Sequence, residues 1–252
     1  MTKRKRRKEK ITVHGPIPLA RRVIHEKVLE IIGKEDRGRV LDIPVGSGAL
    51  SLKLKEMGFA VYCCDINKDH FELRGLPFKK GDMNKRLPYE GGYFDYVVCL
   101  EGLEHAENPF NAVREFARLL RRGGKLILSF PNYLNIEKRI KFLITGSLTK
   151  PKDPLPFLGG STSDLAMLHI NPITYTTLKF FLEVQGLPIM DIAIDKEKKK
   201  QKFLYPLVWL ITLYTFFWPK RQQEKYWLKE TLSSNIIMGG NTTIVIAQKQ
   251  GV

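Results

Sequence analysis

The apolar residues of this chain follow two patterns, one with helical spacing and one of short unbroken runs. Between Pro18 and Ile32 the apolar positions recur at helical spacing with charged residues between them, which predicts an amphipathic helix. Helical segments at 49–58 and 109–120 separate runs that read as strands, so the pattern indicates a parallel sheet covered on both faces. The predicted buried strands are 39–43, 60–65, 77–82, 93–100 and 125–130.

The second half of the chain departs from this alternation. A helical stretch over 133–146 precedes a proline-rich loop over about 148–164 and a further helical stretch over 172–186. Residues 187–195 and 241–249 alternate like an antiparallel pair at the edge of a sheet. We therefore predict an α/β fold with a doubly wound, mostly parallel seven-stranded sheet, an antiparallel edge hairpin and a hydrophobic insertion between the last two strands.

That insertion, residues 196–235, contains the most unusual stretch of the sequence. Residues 203–218 carry no charge and include seven aromatic side chains, with basic residues on both sides. A helix that spans a bilayer needs roughly 20 apolar residues, so this segment is too short. We expect it to lie in the boundary between headgroups and acyl chains. A buried core helix or a dimer interface is the alternative.

The chain is strongly basic, with 42 Lys and Arg against 26 Asp and Glu and a net charge of +16. The basic residues concentrate within the first ten positions and within 196–202, and such clusters suit the phosphates of nucleic acids or of anionic lipids. We predict a basic tail over 1–16, which on its own reads as a solvated tail, and one folded domain over 17–252.

The cysteines and the first residues of the chain indicate the cellular compartment of the protein. Cys63, Cys64 and Cys99 show neither a disulfide framework nor zinc-ligand spacing, which fits a reducing compartment. The basic start is not followed by the apolar run of a signal peptide. We predict a cytoplasmic protein, attached peripherally to the inner face of the cell membrane.

Residues at the predicted strand ends suit a nucleotide-like ligand, because such sheets bind ligands beyond the carboxyl ends of their strands. Gly46 and Gly48 follow the first strand, where a backbone approaches a ligand closely. Asp65 ends the second strand and suits the hydroxyls of a ribose. Asp82 and Met83 end the third and suit the edge and face of an adenine.

Each of these residues also has a simpler structural explanation, since strand-end acids often cap helices and a methionine usually packs. Their joint order along the chain favours a ligand-binding site over these separate structural roles. A dinucleotide site would have a further glycine where this chain has Ser51, so the pattern favours a nucleotide without a pyrophosphate. Asp42, just before the glycine turn, suits either fixing that loop or contacting a cationic group.

Five motifs in order, VLDIPVGSG, CDIN, GDMN, FDYVVCLEGLEH and LLRRGGKLILSFPN, resemble the class I S-adenosylmethionine-dependent methyltransferases over about residues 37–132. The resemblance implies a Rossmann-like methyltransferase fold and S-adenosylmethionine as the cofactor. The pattern E-x-L-E-H followed by N-P is similar to methionine-biosynthesis W-type proteins and quinone-biosynthesis O-methyltransferases. The SFPN stretch with the later HINPIT is similar to bacterial methyltransferases of polysaccharide and lipid modification.

The resemblance also implies roles for individual residues. The glycine turn would pass the methionine part of the cofactor, the second-strand acid would hold the ribose, and the third-strand pair would meet the adenine. One departure is Pro44, followed by Val45, where the family has a glycine and a small residue, so we expect a stiffer corner. The implied cofactor-binding residues are Asp42, Gly46, Ser47, Gly48, Asp65, Ile66, Asp82, Met83, Leu100 and Glu101.

Methyl transfer from a sulfonium is an in-line displacement whose leaving group needs no proton, so the protein mainly supplies proximity and alignment. A hydroxyl acceptor also needs a base, for which His105 is the first candidate and His169 the second. The alternatives are that His105 packs its loop and that His169 caps the next helix with Asn171. Glu101 and Glu104 suit orienting His105 or binding a divalent ion, but no metal-ligand spacing stands out, and no metal site is predicted.

The sequence thus predicts an O-methyltransferase with a membrane-associated or lipid-linked acceptor, namely a quinone ring or a saccharide hydroxyl, and an anionic membrane surface as its partner. An RNA-directed methyltransferase would use the basic clusters on phosphates, but it would be expected to interleave aromatic residues with lysines near the cleft. A non-catalytic cofactor-binding subunit, whose aromatic block docks onto another protein, is the remaining alternative.

Overall fold

The computed structural model describes residues 15–159 and 168–251. Its strands are β1 (Arg39–Asp42), β2 (Ala60–Asp65), β3 (Phe78–Lys80), β4 (Phe94–Leu100), β5 (Leu120–Pro131), β6 (Ile189–Ile194) and β7 (Thr242–Gln248). They form one seven-stranded sheet in the order β3-β2-β1-β4-β5-β7-β6. Pairing is parallel from β3 to β5, and β7 is antiparallel to both β5 and β6. The predicted mostly parallel sheet with an antiparallel edge is confirmed, with β7 inside the sheet and β6 at its edge.

Two layers of helices cover the sheet, because side chains along each strand alternate between its faces. Within β4, Val97 and Cys99 join one apolar cluster and Val98 joins the other. The first cluster includes apolar residues of α3 and α5, and the second includes those of α1 and α2. The helices are α1 (Arg22–Ile32), α2 (Ala49–Glu56), α3 (Pro109–Leu119), α4 (Ile136–Thr145) and α5 (Tyr175–Val184).

The first helix begins later than predicted, at Arg22 rather than near Pro18. The preceding residues are held outside the helix by tertiary contacts. Ser47 Oγ donates a hydrogen bond of 2.7 Å to the carbonyl oxygen of Ile17, and Leu19 packs over Gly46. This segment therefore lies across the loop that follows β1.

The predicted turn at Gly123 and Gly124 lies inside the range of β5, which starts five residues earlier than predicted. Leu120 pairs with Phe94, and the next pair joins Lys125 to Tyr96, so 121–124 form a bulge. Gly123 adopts a positive φ of 73° there, which a glycine tolerates without strain.

The insertion between β6 and β7 folds as helices that pack on α4. Ile136 of α4, Val208 of α6 and Ile237 of α9 form the buried centre of a third apolar cluster. Across the described ranges, no helix combines the length and apolar character needed to cross a membrane. The predicted basic tail lies outside the described residues as far as residue 14, as does the part of the predicted proline-rich loop after residue 159. The helices of the insertion are α6 (Tyr205–Phe216), α7 (Lys220–Lys225), α8 (Leu228–Thr231) and α9 (Ser234–Ile237).

Candidate active site

A cavity of about 470 Å³ opens at the carboxyl ends of β1, β2 and β4, where the strand order reverses around β1. This is the position at which open α/β sheets bind ligands. Nine of the ten predicted cofactor residues line the cavity, together with His105 and His169. The exception is Gly48, which precedes α2 with a φ of 88° and packs against Leu73 and Phe71. The roles of these residues toward a cofactor stay predictions.

The turn after β1 is tied to the end of β2. Gly46, at a φ of 52°, donates its backbone N–H to Asp65 Oδ2 at 3.0 Å. Asp65 also accepts from the backbone of Asn67 at 3.4 Å, and burial raises the pKa of its carboxyl. Pro44 packs against Gly102 after β4, so the corner that departs from the family pattern joins two loops of the cavity. Each Asp65 oxygen accepts one backbone hydrogen bond and keeps capacity for a ligand hydroxyl.

The loop after β3 is also fixed by hydrogen bonds. Asp82 Oδ1 accepts from the backbone N–H of Asn84 at 2.9 Å, and Asn111 Nδ2 donates to the carbonyl oxygen of Met83 at 3.1 Å. Met83 is half-buried against the apolar core. The loop therefore presents a carboxylate and a thioether from a held backbone.

Asp42 lies at the floor of the cavity and is buried. Its Oδ2 accepts a hydrogen bond of 2.6 Å from Ser51 Oγ, which also lies 3.3 Å from Cys63 Sγ. Burial raises the pKa of Asp42 to about 7. Ser51, the residue that counted against a dinucleotide site, thus holds the acid below the glycine turn.

Arg21 is a cavity residue that the sequence analysis missed. Its guanidinium forms an ion pair of 2.8 Å with the buried Asp195 after β6 and donates at 2.6 Å to Thr242 Oγ1 at the start of β7. Within the described part of the chain, it is the only Lys or Arg that lines the cavity. Arg21 and Arg22 are adjacent charged residues at the start of a predicted amphipathic helix. No local signal in the sequence distinguishes the arginine that enters the cavity from its exposed neighbour.

Glu101, directly after β4, has an unusual backbone. Its φ of 48° lies in the left-handed region, which is costly for a residue with a side chain and is most often found at functional sites. Its backbone N–H donates to Ser129 Oγ at 2.9 Å, while its buried Oε1 has no hydrogen-bond partner among the described residues. Burial raises the pKa of Glu101, and the charge of Arg21 opposes that rise.

His105 and His169 meet at the mouth of the cavity with ring centroids 4.7 Å apart and nearly perpendicular planes. His105 Nδ1 lies 2.9 Å from the carbonyl oxygen of Leu168, which only accepts, so Nδ1 carries the proton and Nε2 keeps a free lone pair. Burial lowers the pKa of both histidines, which favours neutral rings. His105 therefore has the tautomer that a general base needs.

The histidine pair lies beside a buried acid. Both carboxylate oxygens of Glu104 are buried and, in the ranges that the structure describes, accept no hydrogen bond. Burial, and next the charge of Glu101, raise the pKa of Glu104 to about 8. Ligand atoms of Glu104, His105 and His169 lie within 4.8 Å of one another, a spacing that suits a divalent cation. The sequence did not indicate this group, because His169 reaches the other two only through the fold.

The loop that carries His169 is held by hydrogen bonds to the segment after β4, and not by α5. The carbonyl oxygen of Glu104 accepts from Ile170 and Asn171 at 3.0 Å each, and Asn171 Nδ2 donates to the carbonyl of Ala106. The cap of α5 is Thr174, so the alternative in which His169 and Asn171 cap that helix is wrong. Asn171 instead positions the loop that carries His169.

Comparisons with known proteins agree with this geometry. The family model described as a methyltransferase domain matches residues 41–128. A ubiquinone biosynthesis O-methyltransferase of Xanthomonas oryzae pv. oryzae is 35% identical over 103 residues, which cover 37% of this chain and 43% of that protein. One of Vibrio parahaemolyticus is 25% identical over 189 residues, which cover 66% of this chain and 78% of that protein. The chain thus spans less than half of the length of the Xanthomonas relative.

Among solved structures, a SAM dependent methyltransferase from Archaeoglobus fulgidus matches with a TM-score of 0.57 at 21% identity, over 90% of this chain and 93% of that one. At 21% identity, this match is evidence for the fold alone. The sheet order, the cavity at the switch point and the family match agree with one another. The chain therefore has the class I methyltransferase fold, and its residues 41–128 match the family model of a methyltransferase domain.

Proposed function

We propose that this protein transfers a methyl group from S-adenosylmethionine to a hydroxyl of a membrane-associated or lipid-linked acceptor. The observation that carries the proposal is the joint placement of the predicted cofactor residues and His105 around one cavity. The relatives named ubiquinone biosynthesis O-methyltransferases support oxygen as the methylated atom and a quinone ring as the first acceptor to test. A saccharide hydroxyl is the second acceptor.

The charges of the cavity suit the amino-acid end of this cofactor. That end carries an ammonium and a carboxylate. Glu101 offers a buried carboxylate oxygen that has no hydrogen-bond partner in the described part of the chain, and Arg21 offers a guanidinium held at the cavity wall. Opposite charges at two points of one wall would orient the methionine part, while Asp65 would hold the ribose hydroxyls and Met83 would contact the adenine.

The chemistry that follows needs little from the protein beyond alignment and one base. When bound, S-adenosylmethionine supplies an electrophilic methyl group, and its thioether leaves without a proton. His105 Nε2 accepts the proton of the acceptor hydroxyl as the new carbon–oxygen bond forms. Leu168 keeps His105 in the required tautomer through the bond to Nδ1.

The role of His105 is tested by His105→Gln, which keeps polarity but removes the base. We expect turnover to fall by about 10²-fold or more, the usual contribution of a positioned base, with cofactor affinity unchanged in calorimetry. His70→Gln, at an exposed residue that also lines the cavity, is the matched control. Equal turnover of the His105 variant and wild type would remove His105 from the mechanism.

A divalent cation is a second chemistry for the same cluster, favoured by the buried Glu104 carboxylate, which accepts no hydrogen bond from residues 15–159 and 168–251. In that case the two histidines and Glu104 would be ligands, and the cation would hold the acceptor oxygen and favour its ionised form. Dialysis against a chelator distinguishes a mechanism with His105 as the base from one with a bound cation. Activity that persists after chelation supports the base, whereas activity lost on chelation and restored by Mg²⁺ or Mn²⁺ supports the cation.

A further inference from the structure

The C-terminal turn of α4 and the helix α6 with the residue after it expose large apolar side chains, here together called the apolar face. Apolar residues point to all sides of α6, so packing on α4 leaves most of them in water. Exposed fractions of its six most prominent members run from 62% to 84%, far above those of core residues. These members are Leu143, Ile144, Trp209, Tyr214, Phe216 and Phe217.

The two helices form one packed unit. Ile136 of α4 and Val208 of α6 are buried in one apolar cluster, and Ile140 and Ile211 are partly buried beside them. Lys198, just before α6, adds an ion pair of 2.5 Å to Glu137 of α4. The apolar face is therefore carried by two helices that already pack on each other, so binding does not require that they first become ordered.

The two segments that carry the apolar face contain basic residues and no acidic ones. Residues 138–152, around the exposed end of α4, contain five Lys and Arg and no Asp or Glu. Residues 198–223, which contain α6, hold six Lys and Arg and again no Asp or Glu. Aromatic residues flanked by lysines and arginines match the boundary between acyl chains and anionic headgroups. A second copy paired through the same face would bring these basic segments together, and a protein partner would need an acidic apolar surface.

The insertion that carries most of the apolar face joins the sheet at the same edge as the cavity. β6 runs parallel to β5, so the insertion leaves the sheet at the carboxyl edge, and β7 returns from that edge. Asp195, where the insertion begins, and Thr242, where it ends, both contact the cavity residue Arg21. A surface bound through the insertion would therefore lie beside the cavity mouth.

We propose that the apolar face binds the surface of an anionic lipid membrane, with α6 in the headgroup and acyl boundary. A 12-residue helix is about 18 Å long, too short to cross a hydrocarbon core of about 30 Å, so it lies in one leaflet. The inference deepens the proposed function by naming the surface that reaches a membrane-borne acceptor. Its test measures binding alone, and so it can fail while methyl transfer stands, or the reverse.

The test is sedimentation of the full chain with vesicles of phosphatidylcholine, with or without phosphatidylglycerol. We expect pelleting with the anionic vesicles, weakening with added salt. Phe216→Ser with Phe217→Ser should reduce vesicle-bound protein at least about 10-fold, since each exposed aromatic buries a large apolar area. Val184→Ser with Met190→Ser, at exposed apolar residues of α5 and β6, is the matched control. Circular dichroism and a melting curve confirm that both variants are folded.

The lysines are tested in the same assay. Lys199→Glu with Lys200→Glu should abolish the preference for anionic vesicles, whereas Lys34→Glu with Lys55→Glu, elsewhere on the surface, should preserve it. No pelleting with any vesicle at low salt would overturn the proposal. A dimer that dissociates in the Phe216 and Phe217 variant, without vesicle binding by wild type, would assign the face to a second copy.

Tryptophan fluorescence gives an independent readout, because all three tryptophans of the chain lie within the insertion. Trp227→Phe leaves two reporters, Trp209 within α6 and Trp218 two residues after its end. We expect a blue shift and quenching by lipids brominated near the headgroup on addition of anionic vesicles. An unchanged spectrum, or quenching only by lipids brominated at the bilayer centre, would contradict a shallow boundary position.

Discussion

At the scale of single residues, the cavity wall combines a cation and an acid that the surrounding strands hold in place. Arg21 is anchored by the buried Asp195 and by Thr242, so its guanidinium is already ordered before a ligand arrives. Glu101 is held in a left-handed conformation by its hydrogen bond to Ser129. Ordering both groups in advance reduces the entropy that a zwitterionic ligand end would otherwise cost on binding.

Arg21 gives a prediction for cofactor affinity. Arg21→Lys keeps the charge but loses the planar fork, and we expect the Kd for S-adenosylmethionine to rise about 10-fold or more, as loss of a charged hydrogen bond implies. Arg22→Lys is the matched control, since Arg22 is exposed and pairs with Glu26 on the outer side of α1. Calorimetry measures both, and equal affinities would show that Arg21 serves only to anchor β6 and β7.

Asp42 gives a prediction for the pH dependence of stability. Burial raises its pKa from 3.8 to about 7, so the folded state retains a proton that the unfolded chain releases. Its contribution to stability is therefore complete below about pH 4 and is lost as the pH rises to about 7, by up to about 1.4 kcal/mol per pH unit. Asp42→Asn should flatten this part of the curve in denaturant titrations without cofactor. Asp69→Asn, at an exposed acid, should not, and parallel curves for wild type and Asp42→Asn would contradict the assignment.

Residue types and their order predicted most of the cavity wall, but not the groups that tertiary contacts create. Gly46, Asp65 and Asp82 follow strands whose ends must meet at one edge, so their proximity follows from strand order alone. The grouping of His169 with Glu104 depends on a loop held by backbone hydrogen bonds to the Glu104 carbonyl. No spacing in the sequence encodes that contact.

At the scale of elements, patterns predicted the buried strands best, because both faces of the sheet are covered. β2 has the predicted bounds, 60–65. The start of α1 was predicted too early, since contacts to Ser47 and Gly46 hold the residues before it outside the helix. The position of β7 between β5 and β6 was also not predicted, because alternation indicates an antiparallel pair without saying which strand lies outside.

Asn135 gives a prediction at this scale, because one side chain joins two elements. It is buried, its Oδ1 accepts from Lys138 to cap α4, and its Nδ2 donates to the Gly240 carbonyl at 2.9 Å where the chain returns to β7. Asn135→Ala should lower the free energy of unfolding by about 2–4 kcal/mol, the sum of a lost cap and an unpaired buried carbonyl.

Asn108→Ala is the matched control for that measurement. Asn108 is exposed, and its side-chain Oδ1 caps α3 by accepting from the backbone N–H of Asn111. We expect a loss of about 1 kcal/mol from it in the same denaturant titration. Similar losses for the two variants would show that the bond to Gly240 contributes little.

At the scale of the whole molecule, the carboxyl edge of the sheet concentrates function. The cavity, the histidine pair, the start of α4 and both ends of the insertion all lie there. The net charge of +16 is also uneven, with eleven Lys and Arg, five in 138–152 and six in 198–223, placed around the apolar face. A membrane bound through the apolar face would thus meet the protein at an insertion whose two ends contact the cavity residue Arg21.

The most direct test of the account is methyl transfer itself. Purified protein is incubated with methyl-labelled S-adenosylmethionine and a membrane extract, and the label is partitioned among organic, aqueous and macromolecular fractions. We predict label in the organic fraction, lost with His105→Gln and reduced with the Phe216→Ser and Phe217→Ser pair, but retained with His70→Gln. Label confined to RNA or protein, or no transfer by a chain that demonstrably binds the cofactor, would contradict the account.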